Sequence, residues 1–252
     1  MTQAERDRLV ALKKAKKKLI TQKEAAEELG PFNVPTECER MIEELGEKPG
    51  VVGFCVTAPR YKGVWDNCYS RTYAMLEERN LPLAFHSGFM WGGDRTMELC
   101  NRFIAVHALG FTWYNVVHLT NWIVNGMPER YPKLKVLWIE SGLAWLPFLA
   151  QRLDNEYMMR SFEAPGLKRR PSSYMREMFF STQPLERPED MGLLEAMFRS
   201  LNAETQLVWG SNFPSPDFDL PSVIYDLPFL GEQAKLNILG GTAAKLFGLP
   251  AK

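Results

Sequence analysis

The chain has 252 residues, a formal net charge of zero and a hydrophobic fraction of 46%. This length suits one large α/β domain, and the balanced charge gives no reason to expect binding to nucleic acid or to an acidic membrane. The polar, basic start lacks the apolar core of a secretory signal, and no apolar run approaches the roughly 18 residues of a membrane span. Four cysteines without C-x-x-C spacing indicate reduced thiols, so we expect a cytoplasmic protein with no membrane partner.

The first 30 residues predict a helical segment that precedes the main domain. An apolar stripe includes Leu9, Leu12 and Leu19, and the spacing of Thr21 and Glu24 is that of a capping box. A second short helix is therefore expected to start at Thr21 and to stop before the break that follows. Residues 31–252 form the predicted main domain.

Short apolar runs alternate with amphipathic segments along this main domain. The runs predict strands at 50–56, 81–86, 135–140, 178–182 and 205–210. The intervening segments predict helices at 36–45, 67–79, 145–160, 188–201 and 231–246, with a long irregular and helical stretch up to residue 127. The runs lack period-two alternation and each precedes a helix, which is typical of parallel strands buried on both faces.

Two α/β architectures are compatible with this alternation of strands and helices: a TIM-type barrel and an open doubly wound sheet. The sequence has no G-x-G-x-x-G after its first apolar run and no P-loop, so the signals of a nucleotide-binding open sheet are missing. The barrel is therefore the predicted fold.

A polar residue follows each predicted strand. These residues are Thr57, His86 with Ser87, Glu140 with Ser141, Thr182 with Gln183, and Ser211 with Asn212. The carboxyl ends of parallel strands form the pocket in such folds, so these side chains are expected to converge. An imidazole, a carboxylate and a carboxamide at one place suit acid/base chemistry or a metal ion.

His86 and Glu140 carry most of this expectation. An imidazole at a strand end is a metal ligand or a general base, or else a buried histidine that a backbone carbonyl satisfies. A carboxylate directly after the run Val-Leu-Trp-Ile needs a metal, a cation or a hydrogen-bond donor, or it stays protonated. Asn212 accepts a hydrogen bond but is no base, and it serves equally well to shape the turn before Pro214.

Other polar residues carry less expectation. His107 and His118 lie on the helical stretch, where His118 has apolar neighbours that favour a core or interface role. Asp217 and Asp219 follow a proline and predict a surface loop. No G-x-S-x-G elbow is present, so a serine nucleophile has little support.

Four segments resemble the amidohydrolase-2 family, which contains aminocarboxymuconate semialdehyde decarboxylase and related metal-dependent hydrolases. They are LPLAFHSG at 81–88, GMPERYPKLK at 126–135, VLWIESGLAWLP at 136–147 and WGSNFP at 209–214. Their order and spacing extend the resemblance over about residues 41–249.

The resemblance implies a (β/α)₈ barrel that holds a divalent metal, which is zinc, iron or manganese. His86 matches the fifth-strand histidine ligand, Glu140 matches the sixth-strand position, and Asn212 matches the last-strand aspartate. By this resemblance the candidate catalytic residues are His86, Glu140 and Asn212, and the candidate metal ligands are His86 and Glu140.

The sequence departs from the family pattern in two ways. No H-x-H pair occurs in it, and Asn212 stands where the family has an acid. The predicted barrel is therefore incomplete at its N-terminus. Three alternatives remain for the gap: residues 1–30 cover it, a partner chain fills it, or the sequence is part of a longer product.

Two functions from different classes follow. The first is a hydrolase or decarboxylase of the amidohydrolase-2 type acting on a small carbonyl-containing substrate, aromatic or cyclic, with or without a metal. The second is a catalytically degenerate barrel that binds a ligand or a partner subunit. A homo-oligomer, or a partner chain that completes the barrel, is expected in either case.

Overall fold

The computed structural model of this chain describes residues 34–57, 62–87 and 96–250. The helical segment predicted for residues 1–30 lies outside these ranges. The division of the chain at residue 31 therefore stays a prediction.

Five parallel strands form one sheet in the described ranges. The strands are β1 (Phe54–Thr57), β2 (Leu83–His86), β3 (Val136–Ile139), β4 (Phe179–Ser181) and β5 (Leu207–Val208). Their order in the sheet is the order of the chain, β1-β2-β3-β4-β5. A doubly wound sheet reverses its strand order at a switch point, whereas a barrel adds each strand beside the previous one. The observed order therefore agrees with the predicted barrel.

The helices lie before, between and after these strands, as the sequence indicates. They are α1 (Pro35–Leu45), α2 (Ser70–Glu78), α3 (Phe103–Val124), α4 (Met127–Arg130), α5 (Trp145–Arg160), α6 (Pro171–Met175), α7 (Met191–Ser200), α8 (Ala203–Gln206), α9 (Ser222–Tyr225), α10 (Glu232–Leu236) and α11 (Thr242–Phe247). A π-helical turn, Asn237–Gly241, joins α10 to α11. No helix in the described part of the chain combines the length and the apolar character needed to cross a bilayer.

The last strand is shorter than the sequence indicates. Residues 205 and 206 end helix α8 rather than begin the strand. The buried side chain of Gln206 explains the difference, since its amide donates to the backbone oxygens of Met175 and Met178, both at 2.7 Å, and its oxygen accepts from the Asn202 backbone nitrogen. These bonds hold a helical turn directly ahead of β5.

The sheet is packed on both faces. On one face the rings of Phe85 and Trp138 stack at 4.6 Å, and Phe85 also packs against Trp122 of α3. On the other face Leu137 and Val208 pack with Leu246 of α11. Side chains alternate along a strand, so His86 shares the second face with Ala84.

Candidate active site

The three predicted strand-end residues meet at one place. The Nε2 atom of His86 is in direct contact with a carboxylate oxygen of Glu140. The other carboxylate oxygen of Glu140 accepts a hydrogen bond from the Asn212 side-chain nitrogen at 2.9 Å. Residues from the ends of β2, β3 and β5 therefore form one hydrogen-bonded group, as the parallel sheet predicts.

His86 faces an acceptor at each ring nitrogen. Its Nδ1 lies 2.6 Å from the backbone oxygen of Ser87, while Nε2 contacts Glu140. A neutral imidazole has only one N–H, so both contacts are satisfied when the ring is doubly protonated. The hydrogen bond to Glu140 raises the pKa of His86 above its ordinary value, and partial burial opposes that rise.

Hydrogen bonds fix the backbone of Glu140 and of the residues on either side of it, and this positions the Glu140 carboxylate. Glu140 adopts a left-handed φ of 55°, and its backbone nitrogen donates to the Ser181 hydroxyl at 2.9 Å. Helix α3 anchors both neighbours, because Asn115 donates to the Ile139 oxygen at 3.0 Å and Thr112 donates to the Ser141 oxygen at 2.9 Å. The carboxylate is thus positioned by α3 and β4 as well as by its own strand.

Asn212 links two carboxylates through one amide. Its side-chain nitrogen donates to Glu140 and also to Asp217, at 3.3 Å. The opposite amide orientation would place the carbonyl oxygen against two acceptors, so the hydrogen bonds determine the orientation. Asn212 also has a φ of 55°, a conformation that asparagine tolerates better than most residues.

Asp217 lies in a surface loop, as the sequence predicts, but its carboxylate also joins the candidate site. Besides its bond to Asn212, its carboxylate accepts from the Gln183 side chain at 3.4 Å, and its backbone oxygen accepts from the same amide at 3.3 Å. The loop returns to its start because the Asp219 backbone nitrogen donates to the Ser211 oxygen at 2.9 Å. Asp219 caps a neighbouring loop through the Leu185 backbone nitrogen, and burial raises the pKa of its carboxyl.

The two other histidines have different surroundings. His107 is 40% exposed and its Nε2 lies 3.9 Å from the Asp217 carboxylate, beside the site. His118 is largely buried, with its ring 4.2 Å from Tyr114 and no partner for Nδ1 among the described residues. Burial lowers the pKa of His118 to about 4. This environment agrees with the predicted core or interface role of His118.

The remaining strand-end residues do not join the central group. Thr57 is exposed at the end of β1, and Thr182 is fully buried, with a hydroxyl that has no partner in the part of the chain that the structure describes. The Gln183 side chain is linked to the central group only through its hydrogen bonds to Asp217. The Ser211 hydroxyl accepts from the Phe213 backbone nitrogen at 3.3 Å and shapes the turn.

The donor atoms at this site suit a divalent metal in type but not in number. His86 supplies an imidazole nitrogen and Glu140 supplies carboxylate oxygens, which zinc and manganese both accept. Within residues 34–57, 62–87 and 96–250, no group of three or more histidines, cysteines, aspartates and glutamates is arranged to hold a metal. The described residues therefore supply two candidate ligands, fewer than the three of a catalytic zinc site.

A cavity of about 600 Å³ lies elsewhere, between α5 and α7. Pro147, Leu194 and Met197 are among its lining residues, and none of the strand-end polar residues lines it. Its position on the helical side of the sheet separates it from the chemistry described above.

The chain belongs to the amidohydrolase family, whose model matches residues 21–249. Family membership confirms the resemblance that the four sequence segments indicate, and with it the TIM-type barrel. No curated protein matches the chain.

Several solved structures share the fold at low sequence identity. They include 5-carboxyvanillate decarboxylase from Sphingomonas paucimobilis (22% identity, TM-score 0.63, 88% of this chain and 64% of that chain). A dihydroxybenzoic acid decarboxylase from a Polaromonas species, with bound manganese and the inhibitor 2-nitroresorcinol, matches with 18% identity and a TM-score of 0.64 over 85% of this chain and 65% of that one. An aspartate-to-asparagine mutant of 5-carboxyvanillate decarboxylase from Novosphingobium aromaticivorans, with bound manganese and 3-methoxy-4-hydroxy-5-nitrobenzoic acid, matches with 17% identity and a TM-score of 0.71 over 99% of this chain and 73% of that one.

The chain spans 64–65% of the length of the first two of these structural relatives. Likeness at these identities establishes the fold, and the manganese and aromatic ligands belong to those proteins.

Proposed function

We propose that this chain is an enzyme of the amidohydrolase-2 type that acts on a small aromatic or cyclic carboxylic acid, with decarboxylation as its reaction. The observation that carries the proposal is the contact between His86 and Glu140 at the carboxyl ends of β2 and β3, with Asn212 holding the second carboxylate oxygen. The aromatic-acid decarboxylases among the structural relatives support the choice of substrate class.

In this reaction His86 is the proton donor. The bond between the ring carbon and the carboxylate carbon breaks, its electron pair stays on the ring carbon, and carbon dioxide leaves. The ring carbon takes the proton from His86 Nε2, and water then restores that proton. Glu140 stabilises the imidazolium before the transfer, which is the role its contact with Nε2 supports.

Hydrolysis would use the same two residues in the opposite protonation state. A neutral His86 or the Glu140 carboxylate would take a proton from the attacking water and return it to the leaving group. Asn212 is a positioning residue in both reactions, because it holds the carboxylate and has no proton to exchange at neutral pH.

The metal-dependent form of the reaction is the alternative to proton donation by His86: a divalent cation would take His86, deprotonated, and Glu140 as its ligands on this chain. The cation, when bound, would polarise a substrate oxygen as a Lewis acid. The relatives with bound manganese support it, and the two donor types fit it. A pH–rate profile that survives a chelator would instead favour the metal-independent form of the reaction.

Carbon dioxide release from hydroxylated benzoates tests the proposal directly. His86→Gln and Glu140→Gln are each expected to lower the rate by about 10²–10⁴-fold, the usual contribution of a positioned acid or base. Glu195→Gln is the matched control, because Glu195 lies on α7 and contacts Arg199 on the same helix. A wild-type rate in the His86→Gln variant would rule out the assignment.

A catalytically degenerate barrel is the second candidate, and the shortage of metal ligands favours it. In that case the chain binds an aromatic acid without converting it. Asn212→Asp separates the two candidates. A degenerate barrel gains turnover from the added carboxylate, whereas the enzyme proposed above already turns over with Asn212 in place.

We further propose a homo-oligomer, or a partner chain that completes the barrel, and a location in the cytoplasm. Helix α3 supports an interface because it carries four exposed apolar side chains, Phe103, Ile104, Leu109 and Trp113. None of the four cysteines forms a disulfide, which supports a reducing compartment.

A further inference from the structure

We propose that His107 and Asp217 form a subsite that recognises a hydroxyl group on the aromatic ring of the substrate. This inference rests on the proposed function, which supplies the substrate class. The site then has two histidine–carboxylate pairs with different tasks: His86 with Glu140 for the reaction, and His107 with Asp217 for recognition.

The separation of the second pair matches a bridging hydroxyl. His107 Nε2 and the Asp217 carboxylate oxygen are 3.9 Å apart, which is too far for a direct N–H···O bond. A hydroxyl oxygen placed about 2.8 Å from each atom fits between them. It would accept a hydrogen bond from Nε2–H and donate one to the carboxylate, so a group that is both donor and acceptor is selected.

The carboxylate of Asp217 is fixed before any ligand arrives. One oxygen accepts from Asn212 at 3.3 Å, and the other accepts from Gln183 at 3.4 Å. Gln183 is only 2% exposed, and it also holds the Asp217 backbone oxygen. A carboxylate anchored in this way loses little conformational freedom on binding, which favours specificity.

Phe111 connects the two pairs along one apolar wall. Its ring lies 6.2 Å from the His86 ring and 5.5 Å from the His107 ring, edge-on to both. Phe103 lies against the other side of His107, at 5.4 Å. A planar ring lying along Phe111 would reach His86 with its carboxylate-bearing carbon and His107 with its hydroxyl group.

Solvent reaches both members of the second pair. The side chain of His107 is 40% exposed and that of Asp217 is 31% exposed. Asn212 joins this pair to Glu140 by donating to both carboxylates, so the subsite is continuous with the reactive pair.

Binding of substituted benzoates to the full chain tests the subsite without relying on turnover. Dissociation constants are measured by calorimetry for benzoate and for its 2-, 3- and 4-hydroxy derivatives. At least one hydroxybenzoate is expected to bind the wild type about ten-fold or more tightly than benzoate, as for a hydroxyl bonded to a charged group. The preference should fall to about two-fold or less in His107→Phe and in Asp217→Asn, while benzoate binds all three proteins alike.

Two variants and a control keep the outcome clear. His107→Phe keeps a planar ring at a partly exposed position, so it tests the subsite even if Asp217→Asn disturbs the neighbouring loop. Asp226→Asn removes an exposed carboxylate in the loop after α9 and should keep the full preference. The proposal is overturned if the wild type does not prefer any hydroxybenzoate, or if both subsite variants keep the preference.

The same experiment separates the subsite from the proposed function. A hydroxyl preference that depends on His107, in a protein that releases no carbon dioxide, retains the subsite and rejects the decarboxylase. Carbon dioxide release that depends on His86, without any hydroxyl preference, retains the decarboxylase and rejects the subsite.

Discussion

The protonation state of His86 depends on one neighbour, Glu140. Because the hydrogen bond to Glu140 is the main cause of the raised pKa, Glu140→Gln is expected to bring the pKa of His86 back toward or below its ordinary value, since the hydrogen bond to the Ser87 oxygen is then the smaller cause that still opposes burial. The imidazole resonances followed by NMR against pH, in protein freed of metal by a chelator, measure this. An unchanged His86 pKa in the variant would contradict the assignment.

The same pair affects folding stability in a defined pH range. The folded state binds the proton more tightly than the unfolded state, so the stabilisation is complete below the ordinary histidine pKa of about 6.5. It is lost as the pH rises through the raised pKa of the folded protein. In the Glu140→Gln variant, this loss of folding stability with rising pH should be absent.

His118 has the opposite dependence. Its pKa of about 4 lies below the ordinary value, so the unfolded chain takes up a proton first as the pH falls. Between pH 7 and pH 5 this uptake should cost about 1–2 kcal/mol of unfolding free energy. Urea denaturation at the two pH values measures it, and His118→Phe should remove that part of the slope. Parallel pH curves for the two proteins would show that His118 is not responsible.

Asn212→Asp should make the site dependent on a cation. The substitution removes an amide that donates to Glu140 and Asp217, and adds a third carboxylate beside them. Without metal, we expect a loss of about 1–3 kcal/mol in stability at neutral pH. Manganese should raise the melting temperature of this variant more than that of the wild type. Equal responses of the two proteins to manganese would count against a carboxylate cluster.

The residues of the site differ in how readily the sequence reveals them. His86 and Glu140 are predictable because each directly follows a buried apolar run, so the parallel fold brings them to the same end of the sheet. The contact of Asp217 with the site is not predictable from the sequence. It depends on a loop that turns back to Ser211 and on a hydrogen bond from Gln183, which are both tertiary contacts. The sequence does not reveal a role for His107 either, since that role follows from the proximity of its side chain to Asp217.

Helix α3 positions the end of β3 through one buried amide. Asn115 is fully buried and donates to the Ile139 oxygen, next to Glu140. Asn115→Ala should cost about 1–3 kcal/mol of stability, because the half-buried Ile139 oxygen loses its side-chain donor, and it should also lower the rate of carbon dioxide release.

Asn121→Ala on the same helix is the control for that variant. Its side chain donates to the Val117 oxygen within α3, so a small loss of stability and a normal rate are expected. Equal effects of the two substitutions on the rate would mean that α3 does not position Glu140.

The elements themselves are predicted well where the pattern is long. Helix α5 has the bounds that its sequence indicates, Trp145–Arg160. The strands are in the predicted places but shorter, and β5 is reduced to two residues by the side chain of Gln206. An apolar run marks a buried segment, but side-chain bonds to the backbone decide where the strand begins.

The whole molecule presents an apolar surface on α3 that we expect to be covered in solution. Ile104 is 76% exposed and Phe103 is 53% exposed. Light scattering coupled to gel filtration should show a mass at least twice that of the chain, and Ile104→Glu should reduce the mass toward that of one chain. A monomeric wild type would show that this surface does not join copies of the chain.

The overall fold follows from the sequence through the order of its strands. Apolar runs without alternation predict parallel pairing, and the missing nucleotide-binding signals favour the barrel, which family membership confirms. The sequence does not predict how the barrel is completed. The apolar pattern shows which segments are buried, but it does not show which chain segment lies at each edge of the sheet.

The left-handed backbone conformation of Glu140 lowers the stability of the fold at a residue that the proposed reaction needs. A glutamate with a φ of 55° carries a conformational penalty of about 1–2 kcal/mol that glycine would avoid. A stabilisation campaign guided by backbone geometry alone would therefore select glycine at this position. The resulting protein would avoid this penalty, but it would lose the carboxylate that contacts His86 and accepts a hydrogen bond from Asn212.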